Sequence, residues 1–153
     1  MSITQKTAVI TGATGLIGSH LVAELLGRGY HLRLLVRNRQ RLHVLRDTLS
    51  RCGLEERFGG IETIEASLLN PVQMSRLMQG CEAVFHCAGM VSYDPAKEAE
   101  IIETNTLITT NTANAALMAG VGVFVHVSSI ATLGESRPDL GHPSRTDHPE
   151  LIT

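Results

Sequence analysis

A chain of 153 residues is one domain's worth, long enough to bury roughly 70% of its unfolded surface around a single core. With 43% hydrophobic and 18% charged residues, no tryptophan and a net charge of −2, it reads as an ordinary soluble globular protein. No run approaches the ~20 apolar residues of a membrane span, and the opening MSITQKTAVI has no charged segment leading into a long apolar stretch, so no secretory signal is expected. The three cysteines, Cys52, Cys81 and Cys87, are odd in number and lack metal-ligand spacing. They fit buried thiols in a reducing cytoplasm better than disulfides or a zinc site. Charge is uneven along the chain. Residues 28–57 set eight arginines against Asp47, Glu55 and Glu56, whereas residues 58–153 hold four basic and eleven acidic residues. A local basic patch on a near-neutral protein points to a small anionic ligand. Nucleic acid would need a broader basic face with stacking aromatics, and neither is present.

Taken in chain order, the sequence alternates between strand and helix. TAVIT (Thr7–Thr11) is a short apolar run ending at a glycine, the pattern of a buried parallel strand. Ile17, Leu21 and Leu25, with Val22 and Leu26, recur at helical spacing from Leu16 to Leu26, and Gly27 and Gly29 end that helix. HLRLLVR (His31–Arg37) is the second strand, and Arg39–Ser50 a basic amphipathic helix. IETIEA (Ile61–Ala66) is the third strand, followed by a helix opening at Pro71, where proline suits a first turn. AVFHCAG (Ala83–Gly89) is the fourth strand, Glu98–Met118 a long helix, and VFVHVSS (Val123–Ser129) the fifth strand. Met74 and Met78 read as core filler. His86 and His126 read as packed core histidines, and Cys87 as an inert thiol.

Five strands joined by helices imply an α/β fold, a doubly wound parallel sheet with right-handed crossovers and strand order 3-2-1-4-5. Ligands in such sheets bind beyond the carboxyl ends of the strands. Attention therefore falls on Gly12–Gly18, Val36–Arg41, Ala66–Leu68, Ala88–Val91 and Ser128–Gly134. Gly12, Gly15 and Gly18, in VITGATGLIGSHL, lie between the first strand and the first helix. The first glycine permits a tight turn, the second lets backbone approach a pyrophosphate, and the third lets helix and strand pack closely. The helix N-terminus then offers unpaired N–H groups and the positive end of its dipole to phosphate. Flavin and S-adenosylmethionine folds share this logic with other loop spacings, and a glycine-rich turn without a ligand is the alternative.

TGATGLIGSHL resembles the nucleotide loop of the extended short-chain dehydrogenase/reductases, the family of sugar epimerases, dehydratases and dihydroflavonol-type reductases. AVFHCAG is similar to the family's fourth strand, NTLITTNTANAA to its long helix, and VFVHVSSIATLG to its fifth strand with the catalytic serine. The resemblance spans nearly the whole chain and implies a Rossmann-type domain over residues 1–134, followed by a proline-rich tail, 135–153, that begins an active-site loop. It carries cofactor binding onto Gly12, Thr14, Gly15, Leu16, Ile17 and Gly18 in the loop. Ser67 and Leu68 follow after the third strand, Ala88 and Gly89 after the fourth, and Asn105 on the long helix. Relatives that prefer NAD place a carboxylate at the end of the second strand; here Val36 stands there, followed by Arg37, Asn38 and Arg39. The similarity of LLVRN to the NADPH-using reductases implies NADP(H) rather than NAD(H), with Arg37 and Arg41 on the 2′-phosphate. The other reading of these arginines is a solvated helix face.

Two positions depart from the family pattern. Ser67-Leu68 replaces the usual Asp-Leu, leaving adenine an uncharged acceptor, and Ile108 replaces a glycine of the long helix, which implies a displaced helix or a repacked neighbour. The family's chemistry uses a tyrosine as proton donor or acceptor, a lysine that lowers its pKa, and a serine that orients the substrate oxygen. Ser129 matches that serine, beside Ser128; simple capping of the strand end is the alternative. The expected Tyr-x-x-x-Lys does not follow. Tyr93 and Lys97 have the spacing, but Asp94-Pro95 interrupts the helix that would align them, and they precede the fifth strand. The sequence is therefore expected to stop one element short of its acid–base pair, leaving the fifth strand as a bare apolar edge. His142, His148, Asp139 and Asp147 in the tail read as a metal site only remotely.

The reading that follows is the NAD(P)-binding portion of a cytoplasmic oxidoreductase or epimerase. Its substrate is a hydroxyl or carbonyl of an unspecified small molecule. No nucleic-acid or membrane partner is expected, and oligomerisation is doubtful because only one of the family's two pairing helices is present. The alternatives are a non-catalytic NADP(H)-binding module and a nonfunctional truncated product.

Overall fold

The computed structural model describes residues 6–129. Five parallel strands, β1 (Thr7–Thr11), β2 (His31–Val36), β3 (Glu62–Glu65), β4 (Ala83–His86) and β5 (Val123–His126), form one sheet in the order β3-β2-β1-β4-β5. The helices between them are α1 (Leu16–Gly27), α2 (Leu42–Arg51), α3 (Pro71–Met78) and α4 (Glu98–Met118). The chain runs outward from β1 through β2 to β3, then returns to lay β4 on the other flank of β1. The strand order thus reverses between β1 and β4, where such sheets open a crevice for ligands. Thr11, the last residue of β1, is in register with both Leu35 and His86, so the three central strands end close together.

Alternation along the strands divides the apolar residues between two cores. Ala8, Ile10, Leu32 and Leu34 pack with Val22, Leu25, Leu26, Leu45 and Leu49 of α1 and α2. Val9, Leu35 and Val84 face the opposite way, onto Met74, Met78, Ala115 and Ala116 of α3 and α4. Period-2 side chains on a sheet covered by helices on both faces require this pattern, and it explains the uninterrupted apolar strands. Met74 and Met78 are fully buried, as core filler should be. Arg33 also lies in a strand, yet it is held by charge: its Nε donates to Glu62 at 2.6 Å and its guanidinium to the Leu77 carbonyl at 2.5 Å.

The helix ends follow local chemistry. After α1, Gly29 adopts φ +81°, its N–H reaches the Leu26 carbonyl and the Tyr30 N–H the Leu25 carbonyl, closing the last turn as a Schellman motif. At the start of α3, Asn70 accepts the Gln73 N–H at 2.9 Å, with Pro71 in the first helical position. Asn70→Ala is expected to cost about 1 kcal/mol of stability, read as a lower urea midpoint with an unchanged slope; an unshifted midpoint would remove the cap from the account.

Four details depart from the sequence reading. The second helix does not start at Arg39: the Asn38 side chain accepts the Gln40 N–H at 2.7 Å and holds Arg39–Arg41 as a 3-10 turn ahead of α2. Glu55–Gly60, which carries no periodic pattern, is also a 3-10 segment, anchored by Arg57 on the Leu26 carbonyl and by Phe58 beneath Arg46. Cys52 is exposed at the end of α2, while Cys81 is buried and Cys87 half-buried; all three are free thiols. His126 is exposed, because β5 pairs only with β4 among the described residues and its side chains stay open. No helix among the described residues is long and apolar enough to cross a membrane.

Candidate functional site

The glycine loop joins β1 to α1 at the reversal of strand order. Gly12 takes φ +72°, and a Cβ there would lie 2.5 Å from the Ala88 nitrogen and 2.6 Å from the Cys87 carbonyl carbon. Gly18, inside α1, would place a Cβ 2.2 Å from the Gly12 carbonyl oxygen. These two glycines stack the loop between β4 and the helix, and no side chain fits at either. Gly15 differs: it is the N-cap of α1, exposed, with a prospective Cβ meeting only the Gly12 oxygen at 3.3 Å. The turn is closed by Gly15 N–H donating to the Gly12 carbonyl and Ser19 N–H to the Gly15 carbonyl, each at 2.9 Å. No side chain caps α1, and no acidic residue occupies its first turn. The helix therefore presents bare N–H groups and its positive dipole end to the crevice. Beside them Leu16 is 79% and Ile17 57% exposed, while Thr14 is half-buried. An anion flanked by an apolar moiety fits this cradle: oxygens on the N–H groups and apolar surface on the two side chains.

The basic patch sorts itself by what each guanidinium touches. Arg28 pairs with Glu24, Arg33 with Glu62, and Arg39 donates to the Thr63 carbonyl at 2.9 Å. Arg46 lies 4.4 Å above the Phe58 ring, Arg51 bonds the Asp47 carbonyl, and Arg57 the Leu26 carbonyl. Arg37 and Arg41 remain. Both are exposed just beyond the end of β2, and no side-chain partner holds either among the described residues. Six arginines are engaged by neighbouring groups, and the two left over stand at the carboxyl edge of the sheet, next to buried Val36.

The walls of the crevice are held from α4. Asn105 accepts the Met90 N–H at 2.7 Å and donates to the Met90 carbonyl at 2.9 Å, fixing the segment after β4 that includes Ala88 and Gly89. Asn111 donates to the Leu68 carbonyl at 3.2 Å, holding the segment after β3. Ser67, exposed, accepts the Leu69 N–H at 3.2 Å and so shapes its own turn. Behind the glycine loop lies a buried relay. The Thr11 hydroxyl is 2.7 Å from His86 Nδ1, His86 Nε2 is 3.2 Å from the Thr109 hydroxyl, and the Ala88 N–H donates to Thr11 Oγ1 at 3.4 Å. Burial, and secondarily His126 nearby, lowers the His86 pKa to about 4, so the ring is neutral at pH 7. Burial likewise raises the Cys87 thiol, consistent with an unreactive residue. Asn111, Thr109 and Thr11 escaped the sequence reading. The available signal was Asn105 and Thr109 four residues apart on one helix face.

Ser129 follows β5 and is exposed. Tyr93 is 98% exposed in the loop ahead of the Pro95–Lys97 3-10 turn, so Tyr93 and Lys97 do not share a helix face. No cluster of metal-ligating side chains exists among the described residues, and the tail residues Asp139, His142, Asp147 and His148 lie outside them.

Residues 8–150 match the model of the NAD dependent epimerase/dehydratase family. Cinnamoyl-CoA reductase 1 of Petunia hybrida is 34% identical over 135 residues, covering 86% of this chain and 38% of that protein. A UDP-glucose 4-epimerase of Klebsiella pneumoniae is 32% identical over 137 residues, covering 83% of this chain and 91% of its own sequence. The structure of dTDP-glucose 4,6-dehydratase from Streptomyces venezuelae, with NAD and TYD bound, matches with a TM-score of 0.68 and 25% identity over 86% of this chain and 42% of that one. The chain thus spans about two fifths of the length of the reductase and of the dehydratase. With the family match covering nearly all of the sequence and the 3-2-1-4-5 sheet beneath its glycine loop, this chain belongs to the NAD dependent epimerase/dehydratase family, within the extended short-chain dehydrogenase/reductases.

Proposed function

We propose that these residues are the dinucleotide-binding part of an oxidoreductase or epimerase acting on a hydroxyl or carbonyl of a small molecule, with NADP(H) preferred over NAD(H). The observation that carries the cofactor preference is the pair of uncommitted guanidiniums, Arg37 and Arg41, after a β2 that ends in Val36 instead of a carboxylate. A 2′-phosphate meets a planar donor fork there and no opposing negative charge. The bare N-terminus of α1 suits the pyrophosphate, with Gly15 leaving room for its approach and Leu16 and Ile17 supplying apolar cover. Leu68 and Ser67 stand where the adenine side of the crevice is expected, and Ala88 and Gly89 on the nicotinamide side. When bound, the dinucleotide supplies the hydride donor or acceptor. This chain's part is to bind, orient and exclude water, with Ser129 directing the substrate oxygen.

The test is the ratio of NADPH to NADH affinity, by calorimetric titration, before and after Arg37→Asp. Loss of a charge-assisted pair and gain of a repelling carboxylate are expected to lower that ratio by at least about tenfold. An unchanged ratio would sink the assignment of Arg37. Arg41→Ala is expected to lower it less, because Arg41 lies four residues farther along the chain, beyond the extended Asn38.

A further inference from the structure

We propose that His86 is a positioning residue for the dinucleotide, acting from beneath the site as the neutral link of a hydrogen-bond chain that joins the glycine loop to α4. This rests on the dinucleotide reading of the glycine loop. His86 is fully buried at the end of β4 and touches no surface a ligand could reach. Its two ring nitrogens are both engaged, with Thr11 at 2.7 Å on one side and Thr109 at 3.2 Å on the other. One direction of donation satisfies every fully buried group, since Thr11 is buried and Thr109 only half-buried. The Ala88 N–H donates to Thr11 Oγ1, so the Thr11 hydroxyl proton is free to point at His86 Nδ1. The ring must then carry its proton on Nε2 and donate it to Thr109.

The consequence is geometric. Thr11 immediately precedes Gly12, and Ala88 is the residue whose nitrogen would clash with any Cβ on Gly12. The chain therefore pins the two backbones whose close approach forms the floor of the crevice, and ties them to α4. One turn earlier on α4, Asn105 grips Met90. A buried hydroxyl without its acceptor is costly and seeks another partner. Without an acceptor at the Nδ1 position, Thr11 is expected to turn away from Ala88 and free the segment that carries Ala88 and Gly89. The His126 ring stacks against the His86 ring at 5.3 Å between centroids.

Three substitutions separate this role from simple core filling, each made in the intact protein. His86→Asn places an amide oxygen near the Nδ1 position and keeps the acceptor for Thr11. His86→Gln reaches toward Thr109 but offers Thr11 nothing, and His86→Leu offers neither. NADPH affinity is expected to stay within about threefold for Asn and to fall about fivefold to tenfold for Gln and Leu, out of proportion to the change in melting temperature. Equal weakening by Asn and Gln, or weakening that merely tracks melting temperature, would overturn the proposal. Nitrogen-15 NMR of the unsubstituted protein gives a reading that survives if a variant fails to fold: the proton must sit on Nε2 at pH 7, and a proton on Nδ1 overturns the chain as drawn. If the unsubstituted protein binds neither NADPH nor NADH, the dinucleotide reading itself has failed. Binding without the Asn–Gln split removes His86 alone.

Discussion

Gly18→Ala is expected to destabilise the protein by more than about 3 kcal/mol and to abolish dinucleotide binding. The added methyl group would sit 2.2 Å from the Gly12 carbonyl oxygen and 2.7 Å from its carbonyl carbon, and both obstacles are backbone. No rotamer change relieves such a contact, so α1 must move off the loop. Val22, Leu25 and Leu26, which pack against β1 and β2 from the same helix, would lose their contacts together. Gly15→Ala makes the contrasting case. Its methyl group meets the Gly12 oxygen at 3.3 Å, a contact relieved by a few tenths of an ångström. Stability should change by less than about 1 kcal/mol, while affinity for the dinucleotide falls by about tenfold or more, because the methyl group occupies the approach of the pyrophosphate. Thermal unfolding and calorimetric titration of the two variants decide the matter. Gly18→Ala with an ordinary melting temperature, or Gly15→Ala with unaltered affinity, would contradict the division of roles among the glycines.

Acid is expected to weaken the fold before the carboxylates titrate. His86 ionises near 6.5 when unfolded and only at about 4 in the folded protein, since burial disfavours its charged form. Its folded pKa is lowered, so the unfolded chain binds the extra proton between these values and stability falls as pH falls. The contribution is fully present above pH 6.5 and is lost progressively down to about 4; the total is roughly 3 kcal/mol. Urea midpoints at pH 7, 5.5 and 4.5 should show this slope, and His86→Asn should flatten it. A variant that keeps the full slope would show that other groups govern acid stability.

The sequence made the architecture legible because its strongest signals are local. Short apolar runs ending in glycine, helical periodicity and Pro71 located all five strands and the four helices, and alternation of strand with helix left one economical topology. The glycine spacing and its place between β1 and α1 identified the loop. The sequence could not sort the arginines. Arg33, Arg37, Arg39 and Arg41 look alike in a string, and only folding brings Glu62, the Leu77 carbonyl and the Thr63 carbonyl up to two of them. Nor could it foresee that Asn38 would bend Arg39–Arg41 into a 3-10 turn, since that depends on a side chain competing with the helix for one N–H.

His86 and His126 show the limit most clearly. They occupy paired positions on neighbouring strands, and their local sequences are nearly interchangeable. One is fully buried and the other exposed, because β4 is flanked on both sides and β5 on one. By itself the sequence determined the fold class, the strand order, the glycine loop and the missing carboxylate at the end of β2, all of which follow from residue type at short spacing. Tertiary structure alone decided which arginines stay uncommitted, that Gly12 meets Ala88, and that Thr11, His86 and Thr109 form one hydrogen-bonded chain. These depend on groups far apart in sequence being brought within 2.7–3.4 Å, and that distance is set by packing of the whole sheet.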